Sequence, residues 1–201
     1  MISKLIFFMF ISVNCFSQWQ ISNDEKLWAL GHPIAAIKIK NVYKQATIIY
    51  RQKTIAAALD NFSNGGKLDA FRHYFYMAAF AQKVKATKLR KLGEAHEKHN
   101  YKQFLKSQLE EGEVPDSLSS VMDLKNNELG FKMGESNKKT DLETLKKSVI
   151  EKIKAGDAFI MNRNKKGDYL DCDNKIYLLN AKEKKWRLPK CLVSSATIYN
   201  D

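Results

Sequence analysis

The run GKLDAFRHYFYMAAF, residues 66–80, constrains the fold more than any other part of the chain. A helix formed by this run has alanine or large apolar and aromatic residues on most of its faces. A helix that is apolar on most faces is buried at the centre of a domain. Three polar residues interrupt the run: Asp69, Arg72 and His73. At positions i, i+3 and i+4 they share one helix face. We therefore expect a central helix whose polar face has either a structural or a chemical role.

The rest of the chain up to Gly156 is mostly helical in pattern, because apolar residues recur at steps of three and four. This periodicity predicts helices over 23–61 with a break at 31–33, 68–91, 93–110, 121–134 and 137–156. Ser119 or Ser120 is the expected cap of the fourth helix, and Gly134 its expected end.

After Gly156 the pattern changes to short β-prone runs separated by RNKKGD and DCDN, which are hairpin signals. The predicted fold class is mainly α, a bundle-like domain of about five helices with a small β-rich C-terminal appendage. The predicted organisation is a signal peptide over 1–17, a helical domain over 18–155 and a β-hairpin-like tail over 156–201.

The first seventeen residues have the pattern of an export signal. Lys4 precedes the apolar run Leu5–Val13, and Cys15 and Ser17 are small enough for the −3 and −1 positions of a cleavage site. This predicts a periplasmic or extracellular protein that begins at Gln18. The alternative is a lipoprotein anchored through Cys15. No later segment is apolar enough to cross a membrane.

The cysteine content agrees with export. Without Cys15 two cysteines remain, Cys172 and Cys191, and such a pair in an oxidising compartment predicts one disulfide. Two free thiols are the alternative.

The formal net charge of +12 favours anionic partners, such as an anionic substrate or an envelope polymer. The excess is mostly scattered lysine without an alternating basic and aromatic stripe, so there is no strong nucleic-acid signal.

Two further motifs carry polar side chains in helical context. GEAHEKHN contains His96 and Glu97, and MDLKNNELG contains Asp123, Asn126 and Asn127 at the same i, i+3, i+4 spacing as the first motif. Asn126 and Asn127 could simply face solvent in the middle of a helix, but two adjacent poor helix formers followed by Gly130 are an unusual choice there.

The three motifs, in this order and over roughly residues 60–135, resemble a family of uncharacterised bacterial proteins with the pattern D-A-F-R-H, A-H-E and M-D-L-x-N-N-x-x-G. Its members are secreted or surface-associated, or lie at the ends of larger toxin-like chains. Tyr76 or a neighbour departs from a tryptophan that is frequent in the family. The resemblance implies one shared site, made of Asp69, Arg72, His73, His96, Glu97, Asp123, Asn126 and Asn127, and no particular activity.

The residue types independently fit a hydrolase that uses general acid–base catalysis. A histidine can take a proton from water, a carboxylate can fix its tautomer, and an arginine can hold an anion. The predicted catalytic residues are His73, His96, Glu97, Asp123 and Arg72. The predicted substrate-binding residues are Asn126, Asn127 and Asp69.

Two alternatives stay open. His73, His96 and Asp123 could instead bind a catalytic zinc with an open water position, and a site richer in oxygen ligands would suit calcium. In the second alternative the protein is a non-enzymatic envelope or interaction protein, and the polar cluster is a buried hydrogen-bond network that fixes helix packing. A catalytic cluster must line a cleft, whereas a structural network should be sealed.

Overall fold

The structure, a computed structural model, describes residues 21–109, 113–177 and 185–199. Its helices are α1 (Asn23–Gly31), α2 (Pro33–Tyr50), α3 (Lys53–Ala58), α4 (Lys67–Ala81), α5 (Ala86–Leu105), α6 (Ser117–Ser136) and α7 (Leu142–Lys154). Strands β1 (Phe159–Met161) and β2 (Leu192–Ser194) pair antiparallel. The mainly α fold class with a small C-terminal β element is confirmed. The predicted signal peptide and Cys15 lie outside the described residues.

Several predicted helix boundaries are wrong. The chain leaves the helix between Ala81 and Ala86, so Gly93 lies inside α5 instead of starting it. At the start of α6 the cap is Asp116, whose side chain accepts the N–H groups of Leu118 and Ser119. Both differences arise from tertiary packing, because Asp116 also pairs with the buried Lys190 at 2.7 Å and Gly93 faces α6.

The centre of the fold is α4, as its composition predicts. Phe71, Phe75 and three alanines of the same helix, Ala70, Ala78 and Ala79, are completely buried. Helices α2 and α7 cover one side, where Ala46 of α2 and Val149 of α7 join the same apolar cluster as Phe71 and Phe75. Helix α6 covers the other side.

Helix α6 approaches the α4 backbone very closely at two glycines. A Cβ on Gly130 would lie 2.5 Å from the carbonyl oxygen of Tyr74, and a Cβ on Gly134 would lie 2.1 Å from that of Ala78. Only glycine permits this spacing between the two helix axes. The predicted helix end at Gly134 is therefore wrong, since this glycine lies within α6 for packing reasons.

Helix α5 runs antiparallel to α6. Near its start, Ala86 N–H donates to Glu135 at 3.3 Å, and one turn later Arg90 donates to Glu128 at 2.5 and 2.8 Å. Residues later in α5 thus contact residues earlier in α6. This register brings the second and third motifs to the same level.

The C-terminal strands pack on the helices. Ile160 of β1 is completely buried in the α4 cluster, and Met161 N–H donates to Gly65 O at 2.7 Å just before α4. A disulfide between Cys172 and Cys191 closes the segment that joins the two strands. Among the described helices, none combines the length and apolar character needed to cross a membrane.

The glycine contact between α4 and α6 can be tested by substitution. We expect Gly134→Ala to lower the free energy of unfolding by about 2 kcal/mol or more, since the added methyl overlaps backbone that cannot move aside. Gly31→Ala is the matched control, because no atom lies within 4 Å of a Cβ there. Urea unfolding of both variants measures the difference, and equal stabilities would contradict the close approach.

Candidate functional site

The first motif places its polar face between α4 and α6. Asp69 is buried in the first turn of α4, where one carboxylate oxygen accepts the N–H of Gly65 at 2.6 Å. Its other oxygen accepts from Arg72 Nη2 at 2.7 Å. Asp69 therefore fixes both the loop before α4 and the direction of the Arg72 side chain.

His73 is the central residue of the cluster and is 9% exposed. Its Nδ1 lies 3.2 Å from Asn127 Oδ1 on α6. Its Nε2 lies 3.2 Å from both Arg72 Nη2 and Asp123 Oδ1, and 3.5 Å from Asp69 Oδ1. Both ring nitrogens thus contact side chains that the motifs supply.

Burial lowers the pKa of His73 well below its usual value of 6.5, and the nearby positive charges of Arg72 and His96 act in the same direction. The imidazole is therefore neutral near pH 7. An amide oxygen can only accept a hydrogen bond, so with the Asn127 oxygen as its partner Nδ1 carries the hydrogen of the neutral ring and donates. Nε2 then holds the lone pair and accepts a hydrogen bond from Arg72.

A second histidine, His96 of α5, pairs with Glu25 of α1. His96 Nδ1 lies 3.2 Å from Glu25 Oε1, and the other Glu25 oxygen accepts the N–H of Ser22 at 2.7 Å in a capping box. Burial raises the pKa of Glu25, but hydrogen bonds from His96 and Ser22 outweigh it and lower the pKa to about 2. The carboxylate beside His96 is therefore ionised at physiological pH.

Both histidines lie on the wall of one cavity of about 390 Å³. Helix α2 contributes a largely apolar wall that includes Ile39, Tyr43 and Tyr50, and α4 adds Tyr76. The polar groups of the wall are Glu25, Thr47, Arg51, Arg72, His73, His96 and Asn127. A concave, mostly apolar space with a few converging polar groups is the usual form of a ligand site.

The hydroxyl of Tyr76 in this wall is held in place by a hydrogen bond and stays neutral. Tyr76 Oη lies 3.0 Å from Thr47 Oγ1. Burial raises the pKa of Tyr76 to about 12. Tyr76 can therefore give or accept a hydrogen bond in the cavity without carrying charge.

The structure separates the eight predicted site residues into two groups. Arg72, His73, His96 and Asn127 line the cavity. Asp69, Glu97, Asp123 and Asn126 are buried behind it. Residues of the second group either contact residues of the first group or connect secondary-structure elements to each other.

Asn126 joins α6 to strand β1. Its amide donates to Phe159 O at 2.9 Å and accepts from Phe159 N–H at 3.0 Å, as a neighbouring strand would. It is completely buried. This placement, outside the cavity wall, gives Asn126 a structural role in place of the predicted substrate contact.

Glu97 is buried on the face of α5 that meets α6. Gly93, one turn earlier, faces Asn127, whose Nδ2 would lie 3.2 Å from an added Cβ. The antiparallel register then places Glu97 level with Asp123, one turn before Asn127. Glu97 also accepts a hydrogen bond from Asn100 Nδ2 at 3.3 Å. It therefore lies beside the polar cluster, on the side away from the cavity.

Several cavity residues were not predicted from the sequence. Glu25 has a capping-box position that already explains its presence, and its partner His96 is 71 residues away. The α2 tyrosines and Arg51 fit an ordinary amphipathic helix. Gly93 was predicted only as a helix start, since its place inside α5 depends on the contact with Asn127 of α6.

The predicted metal ligands are only partly brought together. Within the described part of the chain, one group of three has ligand atoms that all lie within 4.8 Å of one another, and it consists of Asp69, His73 and Asp123. Asp69 thus replaces the predicted His96. The donor types fit zinc, but Arg72 already provides a positive charge 3.2 Å from His73 Nε2.

Comparison with known proteins identifies the family. Residues 26–157 match the family described as a domain of unknown function (DUF6973), and the chain belongs to this family. The match includes all three motifs and the helices that form the cavity. No curated protein and no solved structure matches the chain.

The buried neutral His73 should make stability depend on pH. Because its pKa is lowered in the folded state, the unfolded chain binds more protons as the pH falls below about 6.5. We therefore expect the free energy of unfolding to be constant above that pH and to fall below it, by up to about 1.4 kcal/mol per pH unit.

Urea unfolding of the protein and of His73→Asn between pH 5 and 7 measures this dependence. The variant should lose the slope, whereas His99→Asn, which alters a histidine outside the cavity wall, should keep it. Measurement above pH 5 separates the effect from that of Glu25, whose contribution disappears only as its carboxylate is protonated. A slope that persists in His73→Asn would contradict the assignment.

Proposed function

We propose that this domain is a hydrolase that works by general acid–base catalysis, with His73 as the base and His96 as the acid. One observation carries the proposal: two histidines with different surroundings line the same cavity. His73 is buried between a guanidinium and two carboxylates, and burial is the main reason that it is neutral, whereas the more exposed His96 lies beside an ionised carboxylate. Enzymes obtain an acid and a base at one pH by such differences in environment.

In this proposal Nε2 exchanges the hydrogen bond from Arg72 for one from water or a substrate hydroxyl, and His73 then accepts that proton. Asn127 holds the ring through Nδ1, which fixes both the tautomer and the direction of Nε2. When the ring becomes charged, Asp123 at 3.2 Å from Nε2 stabilises the imidazolium. The His73 ring therefore has a stabilising partner both when it is neutral and when it is charged.

Arg72 is the proposed anion holder. Its guanidinium is fixed by Asp69 and is 23% exposed, so part of it faces the cavity. A fixed positive charge stabilises the negative charge that develops on a carbonyl or phosphoryl oxygen during attack. An anionic or polarised substrate group would therefore bind beside the base.

His96 is the proposed proton donor to the leaving group. The ionised Glu25 stabilises its protonated form and orients the ring through Nδ1. Glu25 is thus a positioning residue. The apolar and tyrosine-lined remainder of the wall would bind the non-reacting part of the substrate.

The mechanism that this geometry supports best needs no metal. Zinc or calcium at Asp69, His73 and Asp123 would have to lie close to the Arg72 guanidinium, and like charges at such a distance repel. Arg72 supplies the charge stabilisation that a metal would otherwise give.

Export remains part of the proposal. Its support is the signal-like sequence over 1–17 and the Cys172–Cys191 disulfide, a bond that persists in oxidising compartments. The buried pairing of Asp69, Asp123 and Asn126 favours the alternative of a structural network in a non-enzymatic protein. The accessible side chains of Arg72 and His96 favour the hydrolase.

Activity of matched variants tests the function. We expect the protein to hydrolyse at least one of three substrate classes: a phosphodiester, a lipid ester or a cell-wall amide. His73→Asn and His96→Asn each keep a donor at the position of Nδ1 but lose Nε2. Each should lower kcat about a hundredfold or more, because general acid–base catalysis contributes that much.

His99→Asn is the control and should retain full activity. Melting temperatures within a few degrees of the parent would show that the inactive variants are folded. Elemental analysis of the same samples would reveal zinc or calcium. Hydrolysis of none of the three classes, or equal rates in all three variants, would contradict the proposed function.

A further inference from the structure

The outer face of α1 and α2 carries an apolar surface that the domain does not bury. Five large apolar side chains there are between 63% and 78% exposed: Leu27, Leu30, Ile34, Ile37 and Ile48. We call them the outer α1–α2 face. Exposed apolar residues gathered on one surface mark an interaction site more often than single ones do.

Helix α2 is apolar on two opposite faces. Its inner face contains Ala35, Ile39 and Ala46, which are at most 4% exposed. At about 100° per residue, Ile34, Ile37 and Ile48 point within about 60° of one another on the other side of the helix. The fold uses the inner face as core and as cavity wall, so the outer face has no role within the described domain.

The charges around this face select the partner. From Lys26 to Leu59 the sequence contains six lysines and arginines and no aspartate or glutamate. Four of these lysines lie on α1 and α2 and are exposed: Lys26, Lys38, Lys40 and Lys44. The two acidic residues of α1 are turned inward, where Asp24 pairs with Lys102 at 2.6 Å and Glu25 pairs with His96.

Exposed leucine and isoleucine mixed with lysine is the composition of helices that lie in the surface of an anionic bilayer. The apolar side chains enter the boundary of the acyl chains, and the lysines contact the headgroups. We propose that the outer α1–α2 face docks this domain on a membrane surface that contains anionic phospholipid.

The position of this face along the chain agrees with the proposal. The apolar run Leu5–Val13 ends ten residues before α1 begins at Asn23. An extended segment of that length spans about 35 Å at most. In the lipoprotein alternative, an anchor at Cys15 would therefore keep the outer α1–α2 face within reach of the same bilayer.

Flotation of the full chain with vesicles tests the proposal. The vesicles contain phosphatidylglycerol and phosphatidylcholine in a 3:7 ratio, or phosphatidylcholine alone. The test variant is Ile34→Ser with Ile37→Ser. The control is Ile176→Ser with Ile198→Ser, which changes the same residue type at 56% and 77% exposure, against 71% and 63% in the test pair.

We expect binding to phosphatidylglycerol vesicles that weakens at high salt. The test variant should bind at least about tenfold more weakly, and the control within twofold of the parent. Because residues 1–20 are common to all forms, the difference reports the outer α1–α2 face alone. Equal binding of the test and control variants, or no binding by the parent, would overturn the proposal. Self-association without lipid that only the test variant abolishes would also overturn it, because a second copy would then be the partner.

Discussion

The packing of α6 against the backbone of α4 determines the rest of the structure. Gly130 and Gly134 let the two helices approach so closely that a long side chain between them must be tightly packed. In the turns that precede these glycines along α6, the space between the helices holds His73 together with Asn127 and Asp123. Each of these polar groups is desolvated by the same contact, so each must find a partner. The polar cluster and the close helix contact are therefore two aspects of one arrangement.

This arrangement gives the two histidines different properties. His73 comes from the buried helix, contacts a guanidinium and loses its charge. His96 comes from α5 at the edge of the cavity and keeps a carboxylate beside it, because the capping box of α1 fixes Glu25. Helix α2 closes the space between them with an apolar wall. The site thus combines residues from five helices, and each contributes a group whose position follows from that helix's own packing.

The sequence could predict those features that depend on local periodicity. The central position of α4 follows from a run that is apolar on nearly all faces, and α7 follows from its single apolar stripe. Features set by contacts between distant residues could not be predicted. Gly93 resembles a helix start in the sequence, but it lies inside α5 because Asn127 needs the space. Asn126 and Asn127 look equivalent, yet neighbouring helical residues point about 100° apart, so one meets β1 and the other meets His73. The role of Glu25 depends on the docking of α1 against α5, which local periodicity does not record.

The central claim is that His73 is a neutral base held through Nδ1, and not one half of a buried ion pair with Asp123. A titration of the His73 ring by nitrogen NMR, with assignment from His73→Asn, tests it most directly. We expect a hydrogen on Nδ1, a lone pair on Nε2 at pH 7, and protonation only well below pH 6.5. An imidazolium that persists at pH 7 would contradict it, and would make the cluster a structural ion-pair network between α4 and α6.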